Sequence, residues 1–146
     1  MYIAARDAGT VTVIDTRSDF VLTSYAVNGG RTQNVAVAKD GSELYATDIE
    51  RSGLVIWNLK SGSAAYQELL IGSGQVRNAF DVAVTPDDAQ LYVSTLADGK
   101  VYVLDRAQRM VVDSIVTGGS PRYVGFDADG THAVIPNEGG WVDFVR

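Results

Sequence analysis

The sequence predicts an all-β chain laid out as successive four-stranded antiparallel sheets, and three observations lead there. Val, Ile, Thr and Tyr gather into short runs separated by glycine-bearing turns, and nothing reads as a long helix. One segment is written three times, as Val35-Ala-Val-Ala-Lys-Asp-Gly-Ser-Glu-Leu-Tyr45, Val82-Ala-Val-Thr-Pro-Asp-Asp-Ala-Gln-Leu-Tyr92 and Val124-Gly-Phe-Asp-Ala-Asp-Gly-Thr-His-Ala-Val134. With Tyr2, Tyr45, Tyr92 and Val134 taken as equivalent, the spacings are 43, 47 and 42 residues, the length of a β-propeller blade.

Each period divides into four strand-like runs, A innermost to D outermost. In the second period these are Asn34 to Ala38, Leu44 to Thr47, Leu54 to Leu59 and Tyr66 to Ile71. Asp40-Gly41, Asp87-Asp88 and Asp129-Gly130 fall between A and B, where a tight hairpin needs residues that tolerate positive φ. Gly9, Gly53, Gly99 and Gly140 open strand C, while Gly29-Gly30, Gly72 with Gly74, and Gly118-Gly119 follow strand D. The chain therefore reads B-C-D, then A-B-C-D twice, then A-B-C, a single array with blades over residues 1–30, 31–74, 75–119 and 120–146.

Gly9-Thr-Val-Thr-Val-Ile-Asp15-Thr16, Leu91-Tyr92-Val93-Ser94-Thr95 and Gly118-Gly-Ser-Pro121-Arg-Tyr-Val124 resemble the YVTN-type propeller repeat over nearly the whole chain. The signature tetrad becomes Tyr45-Ala-Thr-Asp48, Tyr92-Val-Ser-Thr95 and Val134-Ile-Pro-Asn137, so no copy is intact. Ile56-Trp57-Asn58 more distantly resembles the closing Trp-Asp of WD-repeat blades, without that repeat's Gly-His partner. The YVTN resemblance implies a binding scaffold with relatives at the bacterial or archaeal cell exterior and periplasm, although Met1 to Ala8 lacks the order of a signal peptide.

Charge and composition narrow the partners. Twelve basic against 18 acidic residues leave a net charge of -6, and the basic residues are scattered, which argues against nucleic acid. No apolar run approaches the roughly 20 residues of a membrane helix. The absence of cysteine removes disulfides, thiolate catalysis and thiolate metal sites. Asp127-Ala-Asp129-Gly130 lacks the further ligands and closing Glu of a calcium loop and reads as a hairpin turn. The single histidine, His132, is read as exposed and without a second His to share a metal. No cofactor or metal is expected.

Four blades, two of them short of a strand, leave unpaired edges and bare apolar faces at both ends. A homo-oligomer closing the ring is expected, a dimer of about eight blades first because closed dimers are the commonest assembly. A piece of a longer propeller and a self-closed four-bladed ring are the other arrangements. Trp141, in the last blade, either fills the wedge between blades or faces a partner.

The D-to-A and B-to-C loops of a propeller share the funnel face, which is where such folds bind. Mapped through the repeat, the candidate ligand residues there are Asn34, Arg77, Phe80, Asp81, Arg122, Tyr123, Asp48 and Asn137. Asn34, Asp81 and Tyr123 immediately precede strand A and are expected to point to the axis, with Asp81 as anchor. The mixture of aromatic, amide and both charges suits a peptide or small polar ligand. No catalytic residue is assigned, since one His and no paired carboxylates offer no recognisable constellation. A binding scaffold is thus the first reading; an enzyme or enzyme subunit of the lactonase, lyase or amine dehydrogenase kind, and a purely structural repeat, are the others.

Overall fold

Sheet topology follows the repeat strand for strand in the computed structural model, which describes residues 1–51, 53–70 and 78–146. Among those residues lie fourteen strands in four antiparallel sheets. Blade 1 holds β1 (Tyr2–Ala5), β2 (Thr10–Ile14) and β3 (Val21–Ala26); blade 2 holds β4 (Thr32–Val37), β5 (Glu43–Asp48), β6 (Gly53–Asn58) and β7 (Tyr66–Leu70). Blade 3 holds β8 (Ala79–Val84), β9 (Gln90–Thr95), β10 (Lys100–Asp105) and β11 (Met110–Val116), and blade 4 holds β12 (Gly125–Phe126), β13 (Ala133–Asn137) and β14 (Trp141–Val145). Each sheet is a simple meander, and among the described residues blade 1 holds strands B to D and blade 4 strands A to C. Gly72 and Gly74 lie outside the described residues.

The turn residues act as their chemistry requires. Gly41, Asp88 and Gly130 occupy the same place in the three A-B hairpins with φ of 67°, 64° and 71°, and their amides close the turns on Ala38, Thr85 and Asp127. Strand C of blade 2 stops one residue earlier than its hydropathy predicts. Asn58 Oδ1 accepts from the amides of Lys60 and Ser61 and starts a short 3-10 turn, Leu59–Ser61, that draws Leu59 out of the ladder.

Packing runs between blades, because each sheet has two apolar faces and only its neighbours can cover them. Val11, Leu44, Val55 and Trp57 make the core between blades 1 and 2, where Tyr25 and Tyr66 lie against the Trp57 ring at 5.6 and 5.7 Å. Tyr45, Leu54 and Ile56 meet Val82, Leu91, Val93 and Leu104 between blades 2 and 3. Val101, Val124, Ala133 and Ile135 fill the last junction, with Tyr92 edge-on to Phe126 at 5.1 Å.

A polar device accompanies each of the last two junctions. In strand A of blade 2 the register shifts between Thr32 and Val35, and in blade 3 between Ala79 and Asp81. The bulges withdraw the amides of Asn34 and Asp81 from the ladder. Thr47 Oγ1 accepts from Asn34 N at 3.0 Å, and Ser94 Oγ accepts from Asp81 N at 3.1 Å. The same hydroxyls donate onward, Thr47 to Phe80 O at 3.0 Å and Ser94 to Arg122 O at 2.5 Å. One hydroxyl thus repairs its own blade and stitches it to the next. Ala4 takes the equivalent place in blade 1, and there Thr32 Oγ1 reaches back to Thr10 O at 3.0 Å instead.

Thr47→Val keeps the shape of this buried side chain and removes its hydroxyl. The variant is expected to lose about 2 kcal/mol of unfolding free energy in urea, since a buried amide and a buried carbonyl both lose their partner. A loss below about 0.5 kcal/mol would show that the stitch is not structural.

Candidate functional site

The funnel face is built from B-C turns and D-to-A loops that tie to each other in every described repeat. Ile49 N donates to Arg31 O, Leu96 N to Asn78 O and Glu138 N to Ser120 O, each at 3.1 Å. The last position of the signature tetrad reinforces this tie. Asp48 Oδ1 accepts from the amides of Arg31 and Glu50 at 3.2 and 3.0 Å, and Asn137 Oδ1 accepts from Ser120 and Gly139 at 2.9 and 3.1 Å. Asn137 Nδ2 also donates to Gly118 O at 2.5 Å. Both residues are buried with their acceptor oxygens turned to their own loops. Asp48 Oδ2 is buried without a hydrogen-bond partner, 3.8 Å from Arg51 Nε.

Closer to the axis, the structure brings four of the candidates into one ledge. The bulge at Phe80 and Asp81 aims these neighbours at blade 4. Asp81, 8% exposed, accepts from Val124 N through Oδ2 at 2.8 Å. The Phe80 ring meets the Tyr123 ring edge-on at 5.5 Å, and the Arg122 guanidinium lies 4.8 Å over the centroid of Phe80. Glu138 holds that guanidinium from the outside, accepting from its Nε at 2.6 Å. The ledge therefore presents a half-exposed Tyr123 ring beside a cation and its counter-ion, above a buried carboxyl. Asn34, on the neighbouring blade 2, acts to hold the Asp81 carboxyl down. Arg77 lies outside the described residues.

Burial pushes the Asp81 carboxyl above its ordinary value, and the hydrogen bonds from Val124, Val82 and Asn34 oppose that push without cancelling it. Asp81 faces protein more than channel: its Oδ2 bond runs sideways to the next blade.

On the opposite face a cleft of about 460 Å³ opens between the hairpins of blades 2 and 3. Arg106, from the C-D turn of blade 3, crosses the blade boundary. Its Nε donates to Tyr45 Oη at 2.6 Å and Glu43 Oε2 at 3.1 Å, and its Nη1 reaches Asp88 Oδ2 at 2.5 Å. Arg109 adds a second contact to Glu43 at 2.6 Å. Burial works to raise the Glu43 carboxyl, but hydrogen bonds from Tyr45, Arg106 and Arg109 outweigh it and hold the group below its ordinary value. Burial, followed by the Glu43 bond, raises the Tyr45 hydroxyl. Tyr45 is thus both the packing residue its period indicates and the polar hinge of an inter-blade network. Sequence reasoning had no signal for Arg106, whose partner Glu43 stands 63 residues away.

His132 is half-buried rather than exposed, because Asp127 Oδ2 and Thr131 Oγ1 approach its Nδ1 at 2.8 and 2.9 Å. Among the described residues, no group of three His, Asp or Glu side chains is placed to hold a metal ion.

No family model matches the sequence, and no curated protein matches it. Among solved structures, the chain is similar to a chain of hydrazine synthase from Kuenenia stuttgartiensis, a β-propeller-containing protein. The TM-score is 0.85 at 24% identity, over 99% of this chain and 42% of that one. At this identity the likeness shows the fold, an all-β partial propeller, and the chain spans less than half the length of that neighbour.

Asp81 and Asp48 give opposite tests. The folded protein holds the Asp81 proton to higher pH than the unfolded chain does, so ionising Asp81 costs stability as pH rises through its folded pKa. Asp81→Asn keeps an acceptor for Val124 N without the charge. Measured by urea unfolding from pH 3 to about 7, a span that brackets carboxyl titration, its stability relative to wild type should rise with pH; a flat difference would refute the burial argument. For Asp48→Asn the carboxamide nitrogen can donate as Asn137 Nδ2 does, and stability should rise by up to about 1 kcal/mol. A fall would show that the Arg51 contact outweighs the unpartnered oxygen.

Proposed function

We propose that the chain is a non-catalytic binding and scaffold module of the YVTN propeller type, whose funnel-side ledge takes a peptide or small polar ligand and whose ring is completed by further copies. The observation that carries the binding half is the cluster of Phe80, Arg122 and Tyr123 over Asp81. Tyr123 is the exposed ring of this cluster and Phe80 the buried one, and tyrosine beside arginine is what binding surfaces concentrate, because the ring supplies contact area with little entropy to lose. Asn34 lines the same ledge from blade 2. Asp48 and Asn137 belong to its rim as supports that fix loop shape. The YVTN-like tetrads favour a setting at the cell exterior or in the periplasm.

An enzymatic reading has less to rest on. The neighbour's printed title is that of a synthase, but the likeness carries the fold alone. In this chain His132, the only histidine, already has its Nδ1 engaged by its own turn.

A random peptide display against the immobilised protein tests the ledge. Peptides that bind wild type are expected to lose at least about tenfold in affinity, some 1.4 kcal/mol, towards Tyr123→Ala and Arg122→Ala, with little change in thermal unfolding. Binding that ignores both substitutions would place the ligand elsewhere.

A further inference from the structure

The two ends of the array are the two halves of one interface that the chain builds three times internally. On blades 2 and 3 the face turned to the next blade carries Leu54 and Ile56, then Val101 and Val103, all buried. Pairing places Pro136 opposite Val142 and Val134 opposite Phe144 in blade 4, as Thr47 stands opposite Leu54 and Tyr45 opposite Ile56 in blade 2. Val142 and Phe144 are therefore the fourth copy of that face, and they stand 47% and 71% exposed. The facing half lies on blade 1. Ile3 takes the place that Ala46, Val93 and Ile135 hold in the other blades, where each is fully buried, and in blade 1 it is exposed together with Met1 and Leu22.

We infer that these faces meet head to tail: the Val134, Pro136, Val142 and Phe144 face of one copy packs on the Met1, Ile3 and Leu22 face of a second copy, twice around a shared axis. This rests on the reading that further copies complete the ring. Continuity with the internal interfaces points to a second copy, and one chemical detail matches it. In blades 2 and 3 the position paired with Leu54 or Val101 carries the stitching hydroxyl, whose acceptor is a carbonyl at the start of the next blade's strand A. Blade 4 carries Pro136 there and so has no hydroxyl that needs a carbonyl from the face it meets. Ala4 is the one internal position that also lacks the hydroxyl, and its junction is held by Thr32 from the other side. Both edges left by the missing strands, the inner edge of β1 and the outer edge of β14, fall at this same junction.

Light scattering on wild type, Phe144→Asp, Ile3→Asp and an equimolar mixture of the two variants tests this. Wild type is expected at twice 15.6 kDa, each variant alone at the monomer mass, and the mixture as a dimer weaker than wild type, because one of its two junctions joins two intact halves and the other joins two altered ones. Near-ultraviolet circular dichroism of the buried Trp57 checks that both variants are folded. A dimer broken by only one of the two substitutions would overturn the head-to-tail interface while leaving self-association intact. A monomeric wild type would overturn the assembly half of the proposed function along with it.

Discussion

A β-sheet that is apolar on both faces can be buried only by standing between two others, and every other feature of this molecule answers to that constraint. The chain meets it by writing the same sheet four times and letting each cover its neighbours. The cores lie between blades rather than within them, so removing a side chain at one junction is felt by two sheets at once. This is also why the polar groups that matter most to the structure, the hydroxyls of Thr47 and Ser94 and the guanidinium of Arg106, all cross from one blade to the next.

The funnel-side loops show how a scaffold of this kind separates support from presentation. Asp48 and Asn137 turn their acceptor oxygens onto loop amides and so fix the turns, while Arg122 and Tyr123 stand on the loops thus fixed. The preorganisation is local, and it leaves the presented side chains free to differ from repeat to repeat without disturbing the frame.

Much of the fold was legible because the repeat is a one-dimensional signal. Strand order, the missing strands at each end and the left-handed turn positions at Gly41, Asp88 and Gly130 all followed from aligning the chain with itself. The site was legible in part. Phe80, Asp81, Arg122 and Tyr123 do come together, since position before strand A determines where a residue emerges. What Asp48 and Asn137 do there could not be read from type alone, because a polar loop residue looks the same whether its oxygen faces a ligand or its own backbone. Their recurrence at the end of the tetrad was the available clue. Arg106 left no trace of its role, since Glu43, Tyr45 and Asp40 reach it from a different blade through a contact that no local pattern encodes.

The Arg106 network also grades the array from its middle outward. Blades 2 and 3 share the largest apolar cluster and a set of ion pairs joining Glu43, Asp40 and Asp88 to one guanidinium. Within a single copy, each end blade packs against one neighbouring blade among the described residues. In a copy not yet joined to a second, the central pair is accordingly the unit that opens last. In a linear array such a gradient sets the direction of assembly as well as of fraying: the clamp forms first, and the terminal sheets are laid against a surface already shaped to receive them.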